Sequence, residues 1–167
     1  MTEEAFLWPV RVYYEATDAG GVVYHSRYLN FMERARTEWL RHMGFNQEQL
    51  HREQGVLFAV TRMEIRFLAP ARLDDTLLVS VALQSHKQAS LLLQQGIHRV
   101  HDQRPLIRAT VEIVALNHRF KPTRLPSGLL HRMRHPEQSG GAHAVSERDT
   151  SANAGYFGQP FTNGPTQ

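Results

Sequence analysis

The sequence predicts a single α+β domain in which one long helix packs on an antiparallel sheet. Apolar residues first recur with helical spacing over residues 26–43, and from residue 61 to residue 117 they alternate with a period of two. The connections between the alternating segments are short, which indicates mostly antiparallel neighbours. One dominant helix and such a sheet bury their apolar faces as two layers, with the helix on the concave side of a strongly twisted sheet.

The first half of the chain predicts a strand, a long helix and a short helix. Residues 8–14 alternate and are rich in β-branched and aromatic side chains, which favours a strand. The apolar face of the long helix has the spacing 4, 3, 4 and 4 and consists of Tyr28, Met32, Ala35, Trp39 and Met43. Gly44 is expected to follow its last turn. Asn46 and Gln49 resemble a capping box and predict a short helix to about Gln54.

The second half predicts four strands and an interface. The strands are expected at residues 61–67, 77–83, 91–100 and 106–117. The segments 62–67 and 106–116 are long, and a long strand at a sheet edge invites pairing with a second subunit. We therefore expect a homodimer.

The last 33 residues differ in composition from the rest. Residues 135–167 hold five of the eleven glycines and three of the eight prolines, with almost no aliphatic side chains. Such a segment buries too little apolar area to offset the entropy lost on ordering. We expect a folded domain over residues 1–134 and a disordered Gly/Pro-rich tail over residues 135–167.

Charge and cysteine content exclude several classes of protein. Residues 1–134 carry 18 Lys and Arg against 13 Asp and Glu, a net charge of +5; residues 135–167 carry one Arg against three acids, −2, which gives the whole-chain value of +3. The basic residues are scattered singly, so we expect no nucleic-acid partner. No apolar stretch is long enough for a transmembrane segment, and the acidic start does not resemble a signal peptide. The absence of cysteine excludes disulfides and a thiol nucleophile and agrees with a cytoplasmic location.

The loop before the long helix collects the residues with the most chemical potential. Within twelve positions it holds Tyr14, Asp18, Gly20, Gly21, Tyr24 and His25. A carboxylate beside the unpaired N–H groups of a helix N-terminus could attack or activate water on a carbonyl while those groups stabilise the oxyanion. The structural alternative is that Asp18 only forms an Asx turn and His25 only caps the helix. No histidine pair has the i, i+4 helical spacing of a metallohydrolase, so we expect no metal site.

The segment from Arg11 to Leu40 carries a specific family resemblance. It combines Tyr, Thr-Asp, Gly-Gly, Tyr-His and Glu-Arg-Ala-Arg at fixed spacing, and it resembles the signature of the Tol-Pal-associated (YbgC-like) acyl-CoA thioesterases. These form part of the 4-hydroxybenzoyl-CoA thioesterase branch of the hotdog superfamily. The resemblance spans about residues 8–133. It implies a hotdog fold, a five-stranded antiparallel sheet wrapped around a long central helix, with active sites at the interface of a dimer that often forms tetramers.

The resemblance also implies roles for individual residues. Asp18 matches the catalytic carboxylate, acting as nucleophile or as base for water. The backbone N–H of His25 would polarise the thioester carbonyl, and its side chain would complete the constellation with Tyr14. Glu33 matches the glutamate of the family's Glu-Arg-Ala-Arg run and is expected to be structural or pocket-lining. The implied reaction needs no cofactor, because the CoA thioester is itself the substrate.

Substrate contacts are expected from the same loop and from the basic surface. We expect Gly20, Gly21, Tyr24 and Tyr28 to contact the substrate. Coenzyme A is anionic, and the candidate phosphate ligands are Arg62, Arg66, Lys87, Arg119, Lys121 and Arg124, with Lys121 and Arg124 favoured. The same charge could instead steer an acidic acyl carrier protein, and a non-catalytic interaction module of the cell envelope is the second alternative. The acyl chain length is not predicted.

Overall fold

A computed structural model describes residues 5–134, so the predicted tail over residues 135–167 lies outside the described residues. The strands are β1 (Phe6–Arg11), β2 (Leu57–Phe67), β3 (Thr76–His86), β4 (Ser90–Arg99) and β5 (Pro105–Leu116). The helices are α1 (His25–His42), α2 (Gln47–Gln54) and α3 (Leu129–Arg134). The strands form one antiparallel sheet in the order β1-β3-β4-β5-β2, which confirms the predicted α+β fold class.

Helix α1 lies on the sheet through the face that the sequence predicts, with one difference. Its buried side chains are Tyr28, Phe31, Met32, Ala35 and Leu40. Trp39, placed on the apolar face by spacing, is only half-buried and packs at the margin of the core. Gly44 has φ +82°, and the Asn46 side chain accepts from the Gln49 backbone N–H at 3.2 Å. Both helix boundaries predicted around residues 44–46 are therefore confirmed.

Three predictions about the strands need correction. Residues 12–14 do not continue β1, because the Val12 N–H donates to Asp75 O (2.9 Å) and the chain then turns through a 3₁₀ segment, Tyr14–Ala16. Strand β2 begins at Leu57, four residues before the predicted start. Strand β5 lies between β4 and β2, so the segment 106–116 is not an edge; β2 is the edge at that side of the sheet.

Two further findings complete the fold. Helix α3 was not predicted from the sequence, and its Leu129 and Met133 are buried in the core. Among residues 5–134, no helix is long and apolar enough to cross a membrane.

Candidate active site in the loop before helix α1

The loop that carries Asp18 is a small hydrogen-bonded hairpin. Thr17 and Val23 pair as an antiparallel bridge, and the Asp18 N–H donates to Val22 O at 2.9 Å. The turn closes where the Gly21 N–H donates to Asp18 O at 3.0 Å. Gly21 has φ +74°, a left-handed conformation that glycine adopts without strain. The two glycines of the motif therefore shape the turn that presents Asp18.

The carboxylate of Asp18 lies at the tip of this hairpin, exposed to solvent. One oxygen, Oδ1, accepts from the Gly20 N–H at 2.8 Å, which is the Asx turn of the structural alternative. Within residues 5–134 no hydrogen bond reaches the second oxygen, Oδ2. The turn fixes the orientation of the carboxylate and leaves one oxygen open toward a ligand.

The N-terminus of α1 lies at the other end of the same loop. Tyr24 is the N-cap residue, and no side chain caps the helix, so the capping alternative for His25 is not observed. The N–H of Tyr24 donates to Ala16 O at 2.9 Å, which ties the helix start to the 3₁₀ segment. The His25 N–H is in the first turn, where backbone donors have no intrahelical acceptor. This geometry makes it a candidate oxyanion donor.

Two tyrosines of this loop are exposed to solvent, Tyr14 to 81% and Tyr24 to 48%. The ring of Tyr24 packs against the His25 imidazole with a centroid distance of 4.3 Å. The structure thus brings Tyr14, Asp18 and His25 to one short loop closed by backbone hydrogen bonds.

Tyr28 lies in the core behind the loop. Its hydroxyl accepts from the Ala71 N–H at 2.8 Å, and the Ala71 carbonyl accepts from the Val23 N–H at 2.9 Å. Burial raises the pKa of the Tyr28 phenol, with Ala71 N–H opposing the shift. Residues 71 and 72 thereby connect α1 to the Asp18 hairpin, since Val22 and Arg72 also pair as an antiparallel bridge. Sequence reasoning missed this connection because it joins segments 43 residues apart.

Lys121 and Arg124 lie at the opposite end of the sheet from Asp18. The Asp18 hairpin borders the start of β3, whereas the loop after β5 packs against the β3–β4 turn, with the Leu125 N–H donating to Gln88 O at 3.0 Å. Strand β3 has 11 residues and thus spans about 30 Å between these ends. With its amide oxygen turned toward Arg124, Gln88 accepts from the guanidinium at Nε (2.8 Å) and Nη2 (3.1 Å). One protomer alone does not bring these cations to Asp18.

Glu33 lies two turns into α1, where it lines a cavity of about 130 Å³ between α1 and the β2 side of the sheet. Its carboxylate accepts from the Thr37 hydroxyl at 3.0 Å. Beside it, Arg36 donates to the side-chain oxygen of Gln95 at 2.8 Å, and the amide of Gln95 donates to Met32 O at 3.2 Å. Burial lowers the pKa of Arg36, and the negative charge of Glu33 opposes this. Gln95, 1% exposed, faces the core on the same side of β4 as Leu91, Leu93 and Ile97, and its hydrogen-bond partners were not predicted from the sequence.

Among residues 5–134, no group of three or more His, Asp or Glu side chains is placed to hold a metal ion.

Comparison with known proteins identifies the family. The family model of the thioesterase-like superfamily matches residues 12–133. The acyl-CoA thioester hydrolase YbgC of Escherichia coli is 46% identical over 132 residues, covering 78% of this chain and 96% of that protein. The acyl-CoA thioesterase YbgC of Haemophilus influenzae is 44% identical over 127 residues, covering 75% and 92%.

Solved structures agree with the fold and the family. The crystal structure of a probable thioesterase from Bartonella henselae is 40% identical and superposes with a TM-score of 0.70, covering 74% of this chain and all of that one. A 1,4-dihydroxy-2-naphthoyl-CoA thioesterase from Synechocystis has the same fold, with 23% identity and a TM-score of 0.72 over 78% of this chain and 95% of that one. The predicted hotdog fold and family resemblance are confirmed, and the chain belongs to the thioesterase-like superfamily.

Proposed function

We propose that this chain is an acyl-CoA thioesterase whose reaction depends on Asp18 and the N-terminus of α1. The observation that carries the proposal is that one loop holds both groups: the Asx turn orients the Asp18 carboxylate, and the Tyr24–Ala16 hydrogen bond fixes the helix start that carries the His25 N–H. The YbgC relatives, 44 to 46% identical, are acyl-CoA thioesterases, which supports the same substrate class here.

The chemistry follows from these two groups. A thioester carbonyl accepting from the His25 N–H develops negative charge on oxygen, and the helix dipole stabilises that charge. Asp18 either attacks the carbonyl carbon to give an acyl anhydride, which water then hydrolyses, or takes a proton from the attacking water. In both routes the C–S bond breaks, the CoA thiolate leaves and takes up a proton, and the products are a carboxylic acid and CoA. Tyr14 and the His25 imidazole belong to the same loop as Asp18 and are proposed to tune these steps.

Substitution of Asp18 tests the proposal. Asp18→Asn and Asp18→Ala should each lower kcat/KM for acyl-CoA hydrolysis by at least ~10²-fold, because a nucleophile or general base contributes on that scale. Glu48→Gln, at an exposed carboxylate on α2, serves as the matched control. A loss of only two- to threefold in the Asp18 variants would overturn the assignment. Hydroxylamine distinguishes the routes, because only an anhydride can yield a hydroxamate on Asp18.

We also propose that the reaction needs no metal ion and no cofactor, because the carboxylate and the helix N–H supply the attack and the charge stabilisation. Prolonged dialysis against a chelator should leave kcat unchanged. Loss of activity that a divalent cation restores would contradict this part of the proposal.

The proposed assembly is a homodimer through the β2 edge, with a tetramer as the higher form. Strand β2 is 11 residues long, lacks a partner on one side among residues 5–134, and exposes Val60 (47%) and Phe67 (55%). Antiparallel pairing of two β2 edges about a two-fold axis would place the Lys121 and Arg124 end of one copy beside the Asp18 end of the other. These cations could then bind CoA phosphates across the interface. Gel filtration should show a dimer or tetramer, and a fully active monomer would contradict it.

The acyl group of the substrate could be carried by CoA or by an acyl carrier protein. The loop with Lys121 and Arg124 is exposed and could contact either CoA phosphates or an acidic acyl carrier protein. Comparing kcat/KM for one acyl group on both carriers, with and without added free CoA, separates them; we expect CoA to be preferred. The envelope-associated role and the cytoplasmic location stay predictions.

A further inference from the structure

The cavity beside Arg36 opens to the protein surface at Glu33 and Val60, which are both exposed. Apolar side chains form most of its wall, including Trp39, Leu40, Phe58, Leu91 and Ile113. At about 130 Å³ it approaches the volume, on the order of 150 Å³, at which an apolar cavity holds a benzene molecule. It therefore has room for about six non-hydrogen atoms of a ligand.

Most polar groups of the cavity wall satisfy one another. The Gln47 amide donates to the Thr37 hydroxyl at 3.0 Å, and that hydroxyl donates to Glu33 at 3.0 Å. Arg36 differs, because its guanidinium has five N–H donors and the bond to Gln95 is the one it makes within residues 5–134. No carboxylate of those residues forms an ion pair with Arg36, and the nearby charge of Glu33 only partly offsets the lowering of its pKa by burial. Among residues 5–134, none of the other Arg36 N–H groups is buried without a partner, so they are open to an acceptor that enters the cavity.

A flank of α1 connects this cavity to the Asp18 loop. The residues of that flank are spaced 4, 4, 3 and 4 and are His25, Leu29, Glu33, Arg36 and Leu40. Leu29 is 38% exposed, so an apolar side chain lies between the helix start and the cavity.

The flank faces β2, and the two elements run antiparallel. Tyr28 contacts Phe67 near the helix start (ring centroids 6.0 Å apart), whereas Leu40 and Phe58 meet in the cavity. The direction from the helix start to Arg36 is therefore also the direction from the end of β2 to its beginning.

We propose that this cavity receives the far end of the acyl group and that Arg36 donates hydrogen bonds to an acceptor oxygen carried there. The inference rests on the proposed thioesterase function and names its substrate class: acyl chains with a terminal carboxylate or hydroxyl. From His25 to Arg36 the helix rises about 16 Å, which an extended chain of roughly ten to twelve carbons spans. In the proposed homodimer a second copy's Asp18 loop approaches the same cavity, and a shorter chain would then suffice.

Matched substrate pairs test this proposal. For each even chain length from four to twelve carbons, kcat/KM is measured for the plain acyl-CoA, the ω-hydroxyacyl-CoA and the ω-carboxyacyl-CoA. At one or two acyl lengths, the kcat/KM of the wild-type protein should be at least tenfold higher for an oxygen-bearing substrate than for the plain acyl-CoA of the same length. A preference near ten to twelve carbons indicates the path along α1 of one copy, and a shorter optimum indicates the path across the interface.

Variants assign the preference to the guanidinium. Arg36→Met should abolish the preference for oxygen-bearing chains over their plain partners, and Arg36→Lys should retain part of it. Arg34→Met, at an exposed arginine two residues away, is the matched control and should keep the wild-type preference. If Arg36→Met does not fold, the substrate comparison with the wild-type protein and with Arg36→Lys still shows whether the guanidinium causes the preference.

Equal kcat/KM for plain and oxygen-bearing chains at every length, or an unchanged preference in Arg36→Met, would overturn the proposal. Failure of the wild-type chain to hydrolyse any acyl-CoA would instead contradict the proposed thioesterase function.

Discussion

The hydroxyl of Tyr28 is the best point at which to test how the Asp18 loop is held. Tyr28→Phe removes one oxygen and retains the ring, so the contacts with Phe31 (centroids 6.2 Å apart) and Phe67 (6.0 Å) persist. The acceptor of the Ala71 N–H is lost. Because Ala71 is fully buried, water cannot replace that acceptor without opening the structure.

The magnitude follows from this geometry. A buried donor left without an acceptor costs about 1 to 3 kcal/mol, so the free energy of unfolding should fall by that amount. The Ala71 carbonyl accepts from Val23 N–H, so displacement of residue 71 should also loosen the Asp18 hairpin. We therefore expect a lower kcat for thioester hydrolysis, with a smaller change in KM.

Urea unfolding followed by circular dichroism measures the stability, and steady-state hydrolysis measures kcat and KM. Tyr13→Phe is the matched control, because that ring is 68% exposed and its removal of a hydroxyl should change stability by less than about 0.5 kcal/mol. Equal stability of the two variants would refute the reasoning about Ala71. A destabilised Tyr28→Phe with wild-type kcat would refute only the link to Asp18.

Three further predictions concern local features. Asn46→Ala removes the α2 cap and should lower the free energy of unfolding by about 0.5 to 2 kcal/mol in urea titration, with wild-type kcat. Gly21→Ala should lower the free energy of unfolding by about 1 kcal/mol or more, because φ at this position is +74°. In Gly20→Ala the added Cβ would lie 3.1 Å from Asp18 Oδ1, so this variant should lose more kcat than stability. A larger loss of stability in Gly20→Ala and a larger loss of kcat in Gly21→Ala would contradict the assigned turn. Burial, helped by Arg108, lowers the pKa of His98 from its ordinary value near 6.5, so the folded state binds fewer protons than the unfolded state and stability should fall as the pH drops below 6.5. His98→Gln should flatten that fall in thermal melts between pH 7.5 and pH 5, and an unchanged pH dependence would contradict it.

Local sequence patterns predicted the elements whose boundaries depend on local chemistry. Gly44 and Asn46 mark helix ends through backbone conformation and a side-chain cap, and both act within a few residues. The end of β1 was not predictable in this way. Tyr13 and Tyr14 have the aromatic character of strand residues, yet the chain turns at Val12 because that residue bonds to the turn before β3, 63 residues later.

The candidate site shows the same division. The motif around Asp18 predicted the loop, its glycines and the helix start, because all of them lie within twelve residues. The connection from Tyr28 through Ala71 and the pairing of Arg36 with Gln95 join residues 43 and 59 positions apart. Periodicity assigns a side chain to a face of its own helix or strand but does not identify its partner on another element.

Strand order has a consequence for the function that no local pattern contains. Asp18, Lys121 and Arg124 are all predicted to contact one substrate, yet the length of β3 separates Asp18 from the two cations by about 30 Å within one protomer. Asp18 of one copy and the two cations of the other can contact one substrate if the β2 edges of two copies pair antiparallel. The two-fold axis then brings opposite ends of the two sheets side by side. Charge reversal at Arg124 should therefore raise KM for acyl-CoA, while a charged substitution of Val60, at the exposed edge, should reduce both dimer content and kcat/KM. An active monomer with wild-type KM would show that Lys121 and Arg124 do not contact the substrate.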